Sequence, residues 1–146
     1  MIIVDPGRRC RELLLPIFDV WLDRLFGRLN YFLTQFFTGH ECFNAFLHRI
    51  GKVPGAECPY CGVPIETPTH AVFNCYVWSA YRGDLPPTSE RDLAGDQALV
   101  RRMLQSEVEW ARLSDTVSTI VMLRKDGRQF ERLLLASQPS EVLTSD

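Results

Sequence analysis

Apolar positions recur at helical spacing along most of the chain, and Pro and Gly mark where the pattern restarts. From Pro16 to Leu29, the residues Ile17, Trp21, Leu25 and Leu29 fall four apart beside Phe18, Leu22 and Phe26, the stripe of an amphipathic helix. Pro16 suits its first turn, where a missing N–H leaves no bond unmade. The stripe is wide, so this helix is expected to be well buried or to meet a neighbouring domain. A second helix is expected over Tyr31 to Thr38, stopped by Gly39. A third runs over Cys42 to Ile50, with Phe43, Phe46, Leu47 and Ile50 on one face.

Residues 51–69 read as a Gly- and Pro-rich loop. Thr67-Pro68 then opens a short helix, the threonine as N-cap and the proline at the first helical position. That helix carries His70 and is expected to end near Cys75 or Tyr81. Residues 83–89, with Pro86-Pro87, read as a linker. Beyond it the pattern predicts a helix from Asp96 to Leu104. Another starts at Ser106-Glu107-Val108-Glu109, which has capping-box spacing, and continues through Trp110, Leu113, Val117 and Ile120. Lys125-Asp126-Gly127 is expected to break it, Leu133 to Ala136 to add a last turn or two, and Ser137 to Asp146 to fray. The class is mainly α, a small helical module. Its punctuation divides the chain into N-terminal helices (1–52), a knuckle (53–83), C-terminal helices (84–136) and a disordered tail (137–146).

Composition narrows the class. With 146 residues, 46% of them hydrophobic and 23% charged, the chain fits one small folded domain. Its longest apolar runs fall far short of the ~20 residues a bilayer requires, and Met1 to Pro6 lack the layout of a secretory signal. The expected setting is therefore nuclear or cytoplasmic, with no membrane. In that reducing setting an odd count of five cysteines argues for metal binding or idle thiols over a disulfide framework. A net charge of −2 provides no global basic field for nucleic acid. The charge is uneven, however: residues 1–52 hold seven Lys/Arg against five Asp/Glu, and residues 53–90 hold Arg82 against four acids.

The pattern that carries chemistry is Cys58-Pro59-Tyr60-Cys61, then His70, then Cys75, which reads C-x2-C-x8-H-x4-C. Two cysteines two residues apart can turn both sulfurs toward one point, and a following helix delivers the other two donors. Zinc takes four such ligands in a tetrahedron. Gly62 suits the tight knuckle because glycine accepts positive φ. On an ideal helix His70 and Cys75 stand about 140° apart at ~3.6 residues per turn, so the helix must end or distort near Cys75 for both to reach one ion. With every position filled by protein, the site is structural rather than catalytic.

Weaker candidates surround the quartet. His40-Glu41-Cys42 and His48 lack a paired cysteine turn, and Cys42 is as easily a small core residue. Arg49, Lys52 and Arg82 flank the zinc loop and could pair with phosphates, as could His40. Tyr60, Phe73 and Trp78 could stack on bases or pack around the metal. No Gly-rich phosphate loop, nucleophile elbow, H-E-x-x-H helix or paired polymerase aspartates appear, so no chemistry is expected of the chain itself.

The stretch Asn30-Tyr31-Phe32-Leu33-Thr34-Gln35-Phe36-Phe37-Thr38-Gly39-His40, then Cys42 to Arg49, resembles the segment after the reverse transcriptase of arthropod non-LTR retrotransposons. Among these it is most similar to the type-1 elements that insert into ribosomal DNA. The likeness continues through Cys58, Cys61, His70 and Cys75 and resumes from Leu99 to Trp110, covering roughly residues 18–124. Where the family has a second glycine after Gly39-His40, this chain has Glu41. The resemblance implies a Pol polyprotein with endonuclease and reverse transcriptase (RNA-directed DNA polymerase) domains upstream. This segment would bind the element's RNA or its ribosomal DNA target during target-primed reverse transcription. A domesticated, zinc-stabilised protein-interaction module is the other reading.

Overall fold

The computed structural model describes residues 7–40 and 42–137, with side chains described through residue 128. Glu41 and residues 138–146 of the expected tail lie outside the described residues, while Ser137, expected to start that tail, ends the last helix. The chain is mainly helical, with no strand among the described residues. Helix α1 (Arg8–Leu14) runs through a 3₁₀ turn, Leu15–Ile17, into α2 (Phe18–Asp23). Next come α3 (Tyr31–Thr38), α4 (Asn44–Arg49), a π-helical turn (His70–Asn74) and a 3₁₀ helix (Tyr76–Tyr81). The chain closes with α5 (Ala94–Met103) and α6 (Glu107–Ser137).

Helix α6 is the hub. α3, α5 and the π turn lie against it, and α1 joins α3 and α5 from the other side. Its buried stripe, Trp110, Leu113, Val117, Ile120 and Val121, meets Leu13, Leu33, Phe36, Phe43, Leu99 and Met103 in one continuous core. Local sequence sets the ends of these helices. Asn30 caps α3, its Oδ1 accepting from the Leu33 N–H at 2.7 Å, and Gly39 ends it at φ 78°. Ser106 Oγ accepts from the Glu109 N–H at 3.1 Å, one half of the capping box expected there; the Glu109 carboxylate turns instead to Arg112.

Two expectations about helix length fail. The single helix read over residues 16–29 stops at Asp23, and Arg24 is extended at ψ 139°. Arg24 braces the break. Its Nη1 donates to the Trp21 carbonyl at 2.7 Å, its Nε donates to the Gly27 carbonyl, and its guanidinium lies 3.9 Å over the Trp21 ring. The apolar positions beyond the break lose their common face: Trp21 is buried, but Leu25 is 99% exposed. The second miss is at Lys125-Asp126-Gly127, where α6 runs on without a break. Gly127 has a packing reason to be there, because a Cβ at that position would collide with the hydroxyl of Tyr60. No helix among the described residues is long and apolar enough to cross a membrane.

Candidate metal centre

The site is built from a knuckle and a widened helical turn. In the knuckle, the Cys58 N–H donates to the Val63 carbonyl at 2.9 Å and the Gly62 N–H to the Cys58 carbonyl at 3.0 Å. Gly62 sits at φ 82°, a conformation that strains residues with a Cβ. Thr67 caps the following turn, its Oγ1 accepting from the His70 N–H at 3.2 Å. There the chain takes the π form: the Cys75 N–H reaches back five residues to the His70 carbonyl at 2.8 Å. This is the distortion the five-residue spacing demanded, since a π turn is wider than an α turn. Buried Arg82 secures it, donating from Nε to the Val72 carbonyl at 2.6 Å and from Nη2 to those of Ala71 (3.1 Å) and Cys75 (2.6 Å).

The result brings the four sequence-selected donors together. The ligand atoms of Cys58, Cys61, His70 and Cys75 all lie within 4.8 Å of one another and could hold a metal ion. Cys58 Sγ is 3.9 Å from Cys75 Sγ, and Cys61 Sγ is 3.2 Å from His70 Nε2. Cys58, His70 and Cys75 are buried and Cys61 is exposed, at the rim of the cluster. Burial works against a charged His70, yet hydrogen bonding and charge from Cys58 and Glu90 carry its pKa up to about 9. Burial would likewise raise Cys58, but bonds with His70 and the Cys61 and Tyr60 N–H groups bring it down to about 7. Cys75 goes the other way: burial pushes it up to about 12, the Val77 N–H opposing and the other two sulfurs adding to the rise. The sulfurs of Cys58 and Cys61 thus work against ionisation of Cys75. A cation among them reverses that balance, because it binds only the deprotonated forms.

Several residues that hold the site were not singled out in the sequence. Glu90 Oε2 accepts from His70 Nδ1 at 2.8 Å. Glu66, buried between the two ligand pairs, accepts from Arg124 Nε at 2.5 Å, from Arg124 Nη2 at 3.0 Å and from the Asn44 N–H at 2.9 Å. Thr69 Oγ1, next to His70, donates to the buried Asp96 carboxylate, which also pairs with Arg9 Nη2 at 3.0 Å. Two of these did leave a trace in the sequence. Arg124 continues the α6 stripe one turn past Ile120, and Asp96 sits one turn before Leu99 and Val100 on α5. A lone charge on an apolar stripe calls for a buried partner. Nothing comparable marks Glu66 or Glu90.

The other candidate residues scatter. His40 and Arg49 both gather at Phe46, the imidazole centroid 4.6 Å from the ring centroid and the guanidinium 5.6 Å from it. Lys52 is exposed in the following loop. Arg82 stands apart from these three, buried with its donors on backbone carbonyls. Phe73 and Trp78 are buried in the core, and Tyr60 packs edge-on to Trp78 at 5.5 Å. Cys42, expected to open the third helix, lies in the core two residues before α4. Cys10 is half-buried, and burial raises its thiol pKa.

No family model matches the chain, and no solved structure matches it. Among curated proteins it is similar to the Retrovirus-related Pol polyprotein from type-1 retrotransposable element R1 4 of Nasonia vitripennis. The two are 28% identical over 142 residues, which is 97% of this chain but 34% of that protein. The chain thus spans about a third of the relative's length, and the likeness supports a retrotransposon-related origin.

Proposed function

We propose that this chain is a zinc-binding segment of a non-LTR retrotransposon Pol polyprotein that contacts RNA or target DNA during target-primed reverse transcription. In this reading the chemistry belongs to reverse transcriptase and endonuclease domains elsewhere in the polyprotein. The observation that carries the reading is the convergence of Cys58, Cys61, His70 and Cys75 in a chain alignable almost end to end with part of a Pol polyprotein. Zinc fits the donors. A tetrahedral ion with Zn–S near ~2.3 Å and Zn–N near ~2.0 Å needs ligand–ligand edges of about 3.5–3.8 Å. The two separations of 3.9 and 3.2 Å bracket that range. Four protein donors also leave no open position for water or substrate, which suits a structural ion.

The surface offered to phosphates is local: Arg49 and His40 around Phe46, with exposed Lys52 three residues further along the chain. The test is fluorescence anisotropy of labelled RNA and DNA against the zinc-loaded chain over a range of salt. Phosphate contacts should weaken binding with a log–log slope near −0.9 per contact on duplex DNA, and Arg49→Glu with Lys52→Glu should weaken it further. Salt-insensitive binding, or none by a folded and zinc-loaded chain, would sink the nucleic-acid reading. One observation favours the second reading, a protein-interaction module. Leu15, Phe18, Leu22, Leu25 and Leu29 are all exposed, an apolar surface suited to docking on the upstream polymerase or on another protein.

A further inference from the structure

The partner of His70 comes from outside the knuckle, from the segment after Pro86-Pro87. Glu90 Oε2 stands 2.8 Å from His70 Nδ1 and also accepts from Asn74 Nδ2 at 2.7 Å. Asn74 holds that segment a second time. Its Nδ2 donates to the Thr88 carbonyl at 2.7 Å, and its Oδ1 accepts from the Thr88 N–H at 3.0 Å. On the far side Thr88 lies over Gly95 at the start of α5, where any Cβ would collide with it. Residues 88–90 are thus clamped between the π turn that carries His70 and the helix behind it.

A hydrogen bond at one ring nitrogen decides what the other can do. With Nδ1–H donating to Glu90, the Nε2 lone pair faces Cys61 Sγ, 3.2 Å away. The alternative tautomer would put a proton where the ion belongs and leave the carboxylate facing a lone pair. We propose that Glu90 is the positioning residue of the metal centre, fixing His70 as an Nε2 ligand, and that the Asn74–Thr88 clamp makes residues 88–90 a strap whose opening sets the rate of metal loss. This rests on the metal reading above. It adds that the centre is completed by a segment beyond the knuckle, so metal retention and the seating of this strap on α5 are one event. An ordinary surface ion pair would leave Glu90 free to swing away, whereas here one hydrogen bond from Asn74 holds its carboxylate and two more between Asn74 and the Thr88 backbone hold its segment.

The experiment uses the full chain loaded with Zn²⁺. A chromogenic chelator reports affinity and release rate for the native chain, Glu90→Ala, Glu90→Gln and Asn74→Ala, and ¹⁵N NMR of the His70 ring reports its tautomer. Glu90→Ala should lose about 10–100-fold in affinity, the usual range for such outer partners, with mixed ring tautomers. Glu90→Gln keeps an acceptor for Nδ1–H and should recover most of the loss. Asn74→Ala, which keeps the Glu90 carboxylate but removes its clamp, should speed release more than it weakens affinity. Release rates within twofold and an unchanged tautomer in Glu90→Ala, in a chain whose native form does bind Zn²⁺, would overturn the proposal alone. A native chain that takes up no Zn²⁺ would overturn the metal reading and this inference with it.

Discussion

The α6-centred stack and the segment from Cys58 to Glu90 are held by different physics. In the stack, Leu13, Leu33, Phe36, Leu99, Leu113 and Ile120 press carbon on carbon, an attraction without direction that survives small shifts. The knuckle segment buries Val72, Phe73 and Trp78 as well, but its path is set by directional contacts. These are four converging ligand atoms, Arg82 on three carbonyls, Glu66 on Arg124 and Thr69 on Asp96. Such contacts fail abruptly, because a buried polar group that loses its partner keeps its desolvation cost. The stack should soften gradually under mutation, and the knuckle should break at single atoms.

The largest expected effect is metal removal. Structural zinc is worth about 10–16 kcal/mol in finger peptides. One kcal/mol moves the midpoint of a chain near this size by about 2–4 °C. Chelation, or Cys75→Ser, should therefore lower the thermal midpoint by at least about 10 °C. Circular dichroism should show that much of the α5–α6 helicity remains. Coincident melts with and without chelator would erase the contrast.

Next comes the link between the two regions. Arg124→Met or Glu66→Gln alone should cost about 3–5 kcal/mol in denaturant unfolding, as breaking one side of a buried pair does. Combining them should recover part of that loss. A single-mutant cost under about 1 kcal/mol would mean that the two regions are joined by packing instead.

A smaller effect with a telling sign concerns Gly127. In a free helix Gly→Ala gains about 1 kcal/mol. Here the new methyl meets the Tyr60 hydroxyl, so Gly127→Ala should destabilise the native chain and stabilise a Tyr60→Ala background. The same sign in both would dismiss the contact.

The smallest effect lies on the surface. A hydrogen bond from Arg112, with the charge and hydrogen bonds of Arg102, holds the exposed Asp84 carboxyl below its ordinary value near 3.8. A depressed folded pKa gives stability that is present above the unfolded value and lost as pH falls through the folded one. Asp84→Asn should thus be slightly less stable than the native chain near neutrality. The gap should close in acid below the unfolded value of ~3.9 and narrow in salt.

Where local chemistry decided the structure, the sequence was enough to read it. Gly39 ends α3, Thr67 caps the turn before the π segment, and the quartet's spacing announced both the cluster and the distortion it needs. Reading failed where a distant side chain overrode the local pattern. The stripe from Ile17 to Leu29 looked continuous because periodicity cannot register Arg24 folding back over Trp21. Gly127 read as a breaker because its neighbour, Tyr60, is 67 positions away in the chain. α1 carries no apolar stripe long enough to notice, and Glu90 is one acid among many until the fold sets it against His70.

Glu66 and Thr69 lie inside the ligand motif, yet their partners sit at Arg124, Asp96 and Arg9. Grafted onto another scaffold as a short peptide, residues 58–75 would carry a carboxylate and a hydroxyl shaped for groups left behind. The motif is therefore not a portable finger. The contacts that hold it reach from Arg9 to Arg124, and shuffling among proteins, in nature or in the laboratory, would have to move that whole length together to keep them.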